Sequence, residues 1–135
     1  MNKLTNSVIH EKSVSVEPSD DIEDLIYDMM VVLQGKGIGL AAVQIGILKR
    51  VIIVKINGDF VVMINPVINR KGNDKRIKKE GCLSFPNLFT EKTRCYRVEV
   101  DFENKQREKV HLKLSGLAAA CVQHEIDHLD GVTIK

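Results

Sequence analysis

The stretch Gln123-His124-Glu125-Ile126-Asp127-His128-Leu129-Asp130-Gly131, near the C-terminal end of a 135-residue chain, has the pattern of a metal-binding helix. At about 100° per residue, two histidines four positions apart stand one turn above each other on the same helical face. A glutamate beside them is placed to take a proton from water at a metal ion. The stretch therefore predicts two ligands, His124 and His128, and an acid/base, Glu125. Two surface histidines on a polar helix are the simpler alternative.

The segments around this stretch predict an α+β fold. Small and apolar residues predict a buried helix from Gly116 to about Leu129, with Ser115 as its cap and Gly131 as its stop. Apolar residues at steps of three and four predict an amphipathic helix from Asp20 to Gly35, with Asp20 and Glu23 forming a variant of the N-terminal capping box. We expect one domain, 1–135, in which antiparallel sheets pack around a central helix that carries the histidines, with one further helix N-terminal to them.

Two hairpins supply the strands of these sheets. Val51–Ile56 and Phe60–Ile64 are rich in β-branched residues and are joined by Asn57-Gly58-Asp59, a strong hairpin signal. The alternating segments 96–102 and 109–114 predict a second antiparallel pair. Asn65-Pro66 is expected to turn the chain between them.

Composition restricts the partners and the compartment. The 20 basic and 18 acidic residues give a net charge of +2, so we expect neither nucleic acid nor a membrane as partner. The basic cluster 69–79 predicts a solvated loop or hairpin tip. Three cysteines are an odd number, and residues 1–20 contain no apolar run, which favours a reducing cytoplasm.

A third metal ligand is expected upstream of the histidines. The residues after His128 offer only Asp130, which lies on a different helical face. Cys121 lies about 7 Å along the helix from the expected metal, beyond the reach of a short thiol. The remaining candidates are Cys82, Cys95, His10, His111 and scattered carboxylates. We favour Cys82, because Gly81 lets the backbone approach closely and a thiolate suits a divalent ion.

A segment rich in small residues, 37–46, predicts a backbone that closely approaches another group. A nucleotide site is the alternative, but the segment has no preceding strand and no Lys-Ser/Thr ending. Gln44 would be unfavourable to bury without a polar partner, so we expect its amide to point into a site.

Three ordered motifs make the chain resemble the peptide deformylase family. They are G-x-G-x-A-A-x-Q at Gly37–Gln44, E-G-C-L-S at Glu80–Ser84 and Q-H-E-x-D-H-L-x-G at Gln123–Gly131. The resemblance runs from about Asp20 to the C-terminus. It implies one divalent metal ion per chain, usually Fe(II) with zinc or nickel able to replace it, held by Cys82, His124 and His128. It also implies Glu125 as acid/base, with Gln44 and the Leu83 backbone N–H beside the reacting carbonyl.

The same resemblance implies the substrate, which is the formyl-methionine end of a newly made polypeptide, with formate as a product. The expected lining of the methionine pocket is Ile38, Phe85, Leu117, Ala120 and Cys121, with core packing as the alternative. Gly39 and the chain after Pro86 are expected to pair with the peptide backbone. Glu80 and Arg94 are expected to form a supporting ion pair, with simple surface charges as the alternative.

The chain departs from the family pattern at both ends. Its N-terminal stretch matches weakly and lacks the Pro-Asp-Pro-like opening that is common in the family. The family usually has a further strand and often a C-terminal helix after the histidine motif, and we expect that helix to be absent here, which affects ribosome docking and stability. Nothing in the sequence requires more than a monomer. Three rival functions stay open: an H-E-x-x-H protease, an inactive homologue that binds metal or formyl-peptides, and a structural metal module.

Overall fold

A computed structural model describes residues 2–135. Within them, a five-stranded antiparallel sheet has the order β1-β2-β3-β6-β7. Its strands are β1 Gly39–Ala41, β2 Val51–Ile56, β3 Asp59–Lys71, β6 Arg97–Glu103 and β7 Lys109–Ser115. A separate two-stranded sheet pairs β4 Lys75–Cys82 with β5 Phe85–Cys95. The helices are α1 Glu23–Leu33, a 3₁₀ helix Ala42–Ile45 and α2 Gly116–Leu129.

The five-stranded sheet is covered on both faces. Side chains alternate along a strand, so Val51 and Ile53 of β2 pack in the cluster with α1. Ile52 and Val54 point the other way and pack in the cluster that contains Val122 of α2. All four of these strand residues are fully buried. The sheet therefore separates the two helices, and α2 packs against β1 and β2.

The hairpin between β2 and β3 is confirmed. Asn57 and Gly58 both have positive φ, 52° and 88°, as a two-residue turn between antiparallel strands requires. The turn expected at Asn65-Pro66 is wrong, because β3 continues through these residues with a bulge. Asn65 adopts φ 52°, and its side chain bonds both backbone groups of Val16. Proline lacks an N–H, and a bulge tolerates that loss.

The hairpin β4–β5 was not expected from the sequence. Most of the basic segment 69–79 belongs to strands, and only Gly72, Asn73 and Asp74 form the connection between β3 and β4. Most residues of β4 are exposed, so the strand lacks the alternating apolar pattern of a half-buried strand. This hairpin places Cys82 at the end of β4, one short turn before Phe85 opens β5.

The helix caps differ from those expected. Helix α1 begins at Glu23, and Asp20 does not cap it: its carboxylate accepts from the Glu17 N–H and pairs with Lys49. Ser115 precedes α2 without a side-chain capping bond. Between residues 2 and 135, no helix is both long enough and apolar enough to span a membrane.

Candidate metal centre and active site

The two histidines of α2 face the same side of the helix. Their ring centroids are 4.9 Å apart with an interplanar angle of 72°. Both side chains are buried, His128 completely. This follows from the spacing of four residues on a helix that packs against the sheet. Two imidazole rings are thus held together in an interior where metal ligands can be pre-positioned.

Cys82 joins the two histidines from the end of β4. Its Sγ lies 3.2 Å from His128 Nε2, and the donor atoms of Cys82, His124 and His128 all lie within 4.8 Å of one another. A tetrahedral ion with ordinary metal–sulfur and metal–nitrogen bonds separates its S and N donors by about 3.6 Å. The donor set and its spacing therefore fit one divalent metal ion.

The other candidate third ligands lie elsewhere. Cys95 is buried, and its backbone N–H donates to the Gln123 side chain. His111 is on the exposed face of β7, with its two ring nitrogens bonded to Asp101 and Glu99. Neither these residues nor His10 belong to the donor group found among residues 2–135.

A buried ion pair orients His124. Its Nδ1 donates to Glu80 Oε1 at 3.0 Å, which leaves Nε2 for the side of Cys82. Arg94 holds the Glu80 carboxylate with two hydrogen bonds of 2.9 and 2.8 Å and reaches Asp127 at 2.6 Å. Burial alone would raise the pKa of Glu80, but the bonds from Arg94 and His124 lower it to about 2. The carboxylate is therefore ionised and fixes the orientation of the His124 ring.

The two histidines differ in their electrostatic environment. Burial disfavours a charged His124, but its hydrogen bonds with Cys82 and Glu80 raise its pKa to about 10. Burial and the charge of His124 lower the pKa of His128 to about 3, and its Nδ1 is buried without a hydrogen-bond partner. His128 is thus a neutral imidazole, the form that binds a metal.

Glu125 is buried beside the histidines. Its Oε1 has no hydrogen-bond partner in the structure, and burial raises its pKa to about 7. A Cβ added at Gly39 would lie 2.7 Å from Glu125 Oε2, so β1 approaches this carboxylate closely. A carboxyl group that titrates near neutrality and has a free oxygen can both take up and release a proton.

Gln44 has the polar partners that its burial requires. Its Oε1 accepts from the Ala41 N–H, and its Nε2 donates to Ser84 Oγ at 3.0 Å and towards Cys82 Sγ at 3.5 Å. The amide N–H group therefore lies beside the cysteine ligand. Ser84 and Asp127 also belong to the site, through their bonds to Gln44 and Arg94, and both lie inside the quoted motifs although neither was predicted as a site residue.

A cavity of about 450 Å³ opens over this centre, and its lining is mainly apolar. All six residues that were predicted from the sequence to contact the substrate line this cavity: Ile38, Gly39, Phe85, Leu117, Ala120 and Cys121. Gln44, Cys82, Leu83, His124 and Glu125 line it as well. Burial raises the pKa of the Cys121 thiol above its ordinary value, so this side chain presents a neutral surface to the cavity.

Three protein donors beside a buried carboxylate, beneath an apolar cavity, are typical of a catalytic metal site that activates water. The model of the family described as polypeptide deformylase matches residues 1–135. The chain belongs to the polypeptide deformylase family, hydrolases that remove the N-terminal formyl group of newly made polypeptides. The resemblance inferred from the three motifs is thereby confirmed.

Individual relatives agree with the family assignment. A peptide deformylase of Natranaerobius thermophilus is 43% identical over 93% of this chain and 83% of its own length. One of Bartonella tribocorum is 38% identical over 95% of this chain and 77% of its own length. The crystal structure of the enzyme from a Vibrio parahaemolyticus bacteriophage, in complex with actinonin, matches with a TM-score of 0.93 at 36% identity. This match covers 99% of this chain and all of that one.

Proposed function

We propose that Cys82, His124 and His128 hold one divalent metal ion and that this centre removes the formyl group from formyl-methionine at the start of new polypeptides. The observation that carries the proposal is the convergence of these three donors beside Glu125 at the floor of the cavity. Fe(II) is the metal we expect, with zinc or nickel able to occupy the site, since mixed sulfur and imidazole donors suit several first-row ions. Such an ion, when bound, polarises a carbonyl oxygen and acidifies water.

Glu125 acts as the acid/base in this proposal. Its unpartnered Oε1 and a pKa of about 7 allow it to take a proton from the attacking water. The water oxygen adds to the formyl carbon, the carbon–nitrogen bond breaks, and Glu125 returns the proton to the leaving amine. The products are formate and a free N-terminal amine.

Gln44 and the Leu83 backbone N–H stabilise the negative charge that develops on the formyl oxygen. The Gln44 amide is already oriented by Ala41 and Ser84, so it needs little reorganisation during the reaction. Loss of one such donor typically costs about 3 kcal/mol of transition-state stabilisation.

The cavity residues recognise the methionine and the chain that follows it. Ile38, Phe85, Leu117, Ala120 and Cys121 surround the apolar side chain. Strand β1 lies at the edge of the five-stranded sheet, so one side of Gly39 faces away from β2. An extended peptide can add to this edge through backbone hydrogen bonds.

The centre draws all its donors from one chain, which supports a monomer acting as a single domain. The compartment proposed for this activity is the cytoplasm, where formylated chains emerge from the ribosome. A direct contact with the ribosome is a further expectation of this proposal, and neither nucleic acid nor a membrane is needed for the reaction.

The test is an anaerobic assay of formate release from formyl-Met-Ala-Ser with Fe(II)-loaded or nickel-loaded protein. We expect turnover by the wild type, and loss of both metal and turnover in Cys82→Ala. Cys95→Ala, which removes a buried thiol outside the donor group, is the matched control and should keep its metal. Bound metal without formate release would reject the proposal. Full metal binding by Cys82→Ala would reject the ligand assignment.

A further inference from the structure

Residues Thr5 and Asn6 lie against the two segments that carry the donors proposed for the formyl oxygen. The Thr5 N–H donates to the backbone carbonyl of Gln44 at 2.9 Å. The Asn6 Nδ2 donates to the backbone carbonyl of Ser84 at 3.1 Å, although these two residues are 78 positions apart in sequence. Two consecutive residues therefore connect the 3₁₀ helix that contains Gln44 to the turn between β4 and β5 that contains Ser84.

The N-terminal segment 5–13, to which these two residues belong, is also held by contacts outside the site. Ile9 is buried in the core. The Ser13 N–H donates to the carbonyl of Leu129, at the end of α2, at 2.8 Å. These contacts fix the segment relative to the core, so it can serve as a support for the two segments that it touches.

The bond from Asn6 restrains the backbone next to the Leu83 N–H. Leu83 and Ser84 form a two-residue turn, because Cys82 and Phe85 on either side of them are paired between β4 and β5. Each residue has only two soft backbone dihedrals, so such a short turn has few ways to change shape. The carbonyl that Asn6 holds follows the Leu83 N–H by two peptide groups. Fixing this carbonyl therefore limits where the Leu83 N–H can point.

The direct side-chain bond between the two segments uses a group that the reaction itself needs. Gln44 Nε2 donates to Ser84 Oγ at 3.0 Å and towards Cys82 Sγ at 3.5 Å. An amide nitrogen carries two hydrogens, so a formyl oxygen that accepts from Gln44 competes with one of these two contacts. The bonds from Thr5 and Asn6 go to backbone carbonyls, so they can hold the spacing of the two segments while a substrate is bound.

We propose that Asn6 is a positioning residue that fixes the distance between the Gln44 amide and the Leu83 N–H, while the Thr5 N–H holds the Gln44 segment. The proposal rests on the deformylase function proposed above. An oxyanion must lie about 2.7–3.1 Å from each donor, so a small change in the separation of the donors weakens at least one of the two bonds. Asn6 lies outside the cavity lining and outside the metal donor group found among residues 2–135, so it acts through the turn.

The test measures kcat and KM for formyl-Met-Ala-Ser with metal-loaded wild type, Asn6→Ala and Asn6→Asp. Both variants remove the N–H donor, and the second keeps the size of the side chain. We expect kcat to fall about fivefold in both, which is the effect of one uncharged hydrogen bond. KM and metal affinity should stay at the wild-type values, because the two donors act mainly in the transition state. Turnover by the wild type tests the hydrolytic function separately.

Ser7→Ala is the matched control. It removes a hydroxyl from the exposed residue next to Asn6 and leaves the backbone bond from the Ser7 N–H to Thr5 Oγ1 in place, so kcat should equal that of the wild type. A double-mutant cycle tests the route of the effect. In a Gln44→Ala background, Asn6→Ala should change kcat by no more than about twofold, because the distance between two donors no longer matters when one is absent.

A readout independent of turnover is the proton–nitrogen NMR signal of the Gln44 side-chain amide in zinc-loaded protein. This signal should shift in Asn6→Ala and stay in place in Ser7→Ala. A wild-type kcat in Asn6→Ala, an unchanged amide signal, or an equal loss of kcat in the wild-type and Gln44→Ala backgrounds would overturn the proposal. Loss of metal from Asn6→Ala would also overturn it, because the residue would then support the whole site instead of the two donors.

Discussion

Replacing Arg94 with methionine is expected to reduce both the stability of the fold and its affinity for metal. The guanidinium is 9% exposed and makes two hydrogen bonds to Glu80, which is 11% exposed, and one to Asp127. Its removal leaves the Glu80 carboxylate buried with His124 as its remaining partner. Breaking a buried ion pair by removing one partner costs about 3–5 kcal/mol.

This loss would be a large share of a domain's stability, which is typically about 5–15 kcal/mol. With a urea dependence of about 2 kcal/mol per molar, the unfolding midpoint should fall by about 2 M. The metal should bind about 10–100-fold more weakly, because Glu80 orients a ligand histidine and would be less well held itself. Urea unfolding followed by circular dichroism and competition with a metal chelator measure the two effects.

Arg76→Met is the matched control. Arg76 pairs with Asp74 by two hydrogen bonds in the same hairpin, but these side chains are 53% and 56% exposed. An exposed pair contributes about 0–1 kcal/mol, so this variant should unfold close to the wild-type midpoint. Arg94→Lys keeps the charge but loses the bidentate contact, so its unfolding midpoint should lie between those of Arg94→Met and Arg76→Met. It replaces Arg94→Met in the test if that variant does not fold. Equal midpoints for Arg94→Met and Arg76→Met would refute the reasoning.

Three other variants test the site and the sheet. Glu125→Gln should retain its metal and lose about 10²- to 10⁴-fold in kcat, because it cannot carry the proton. Gly39→Ala should lower kcat, since its Cβ would lie 2.7 Å from both Cys121 Sγ and Glu125 Oε2. The hydrogen bond to Asp101 raises the pKa of His111, so its stabilising charge is present below pH 6.5 and lost as pH rises through the folded-state pKa. His111→Gln should therefore destabilise the fold more in acid than in alkaline solution.

Each of these three variants is tested by its own measurement. A normal rate in Glu125→Gln, with metal content checked by elemental analysis, would remove its acid/base role. Gly72→Ala, where a Cβ would meet its nearest atom at 3.4 Å, is the control for Gly39→Ala, and equal activity of the two would contradict the predicted clash. A pH-independent difference between His111→Gln and the wild type in urea unfolding would contradict the assigned pKa shift.

Local patterns in the sequence were sufficient to predict the helix that carries the histidines and the turn at Asn57-Gly58. The spacing of His124 and His128 fixes their common face, because 3.6 residues per turn is a property of any α-helix. Asn57 and Gly58 tolerate positive φ, so these two adjacent residues are enough to predict the turn type. The motifs also identified the family, because their residues and their order can be read from the sequence without knowledge of the contacts.

Long-range packing determined the features that sequence patterns missed or left open. The strand β4 lies in a two-stranded sheet and most of its residues are exposed, so it has no alternating apolar pattern by which the sequence could reveal it. Only that hairpin brings Cys82 within 3.2 Å of His128, 46 positions away in sequence. The choice among Cys82, Cys95 and His111 as the third donor could not follow from spacing, because no local periodicity relates residues so far apart.

The second layer of the site depended on tertiary structure for the same reason. The ion pair of Arg94 with Glu80 could be proposed from the sequence, but the bond of Arg94 to Asp127 of α2 appears only when β5 lies beside that helix. Sequence by itself determined which side chains can do the chemistry. The packing of β4 and β5 against α2 decided which of them meet, because the contacts between those elements join residues that no local pattern links.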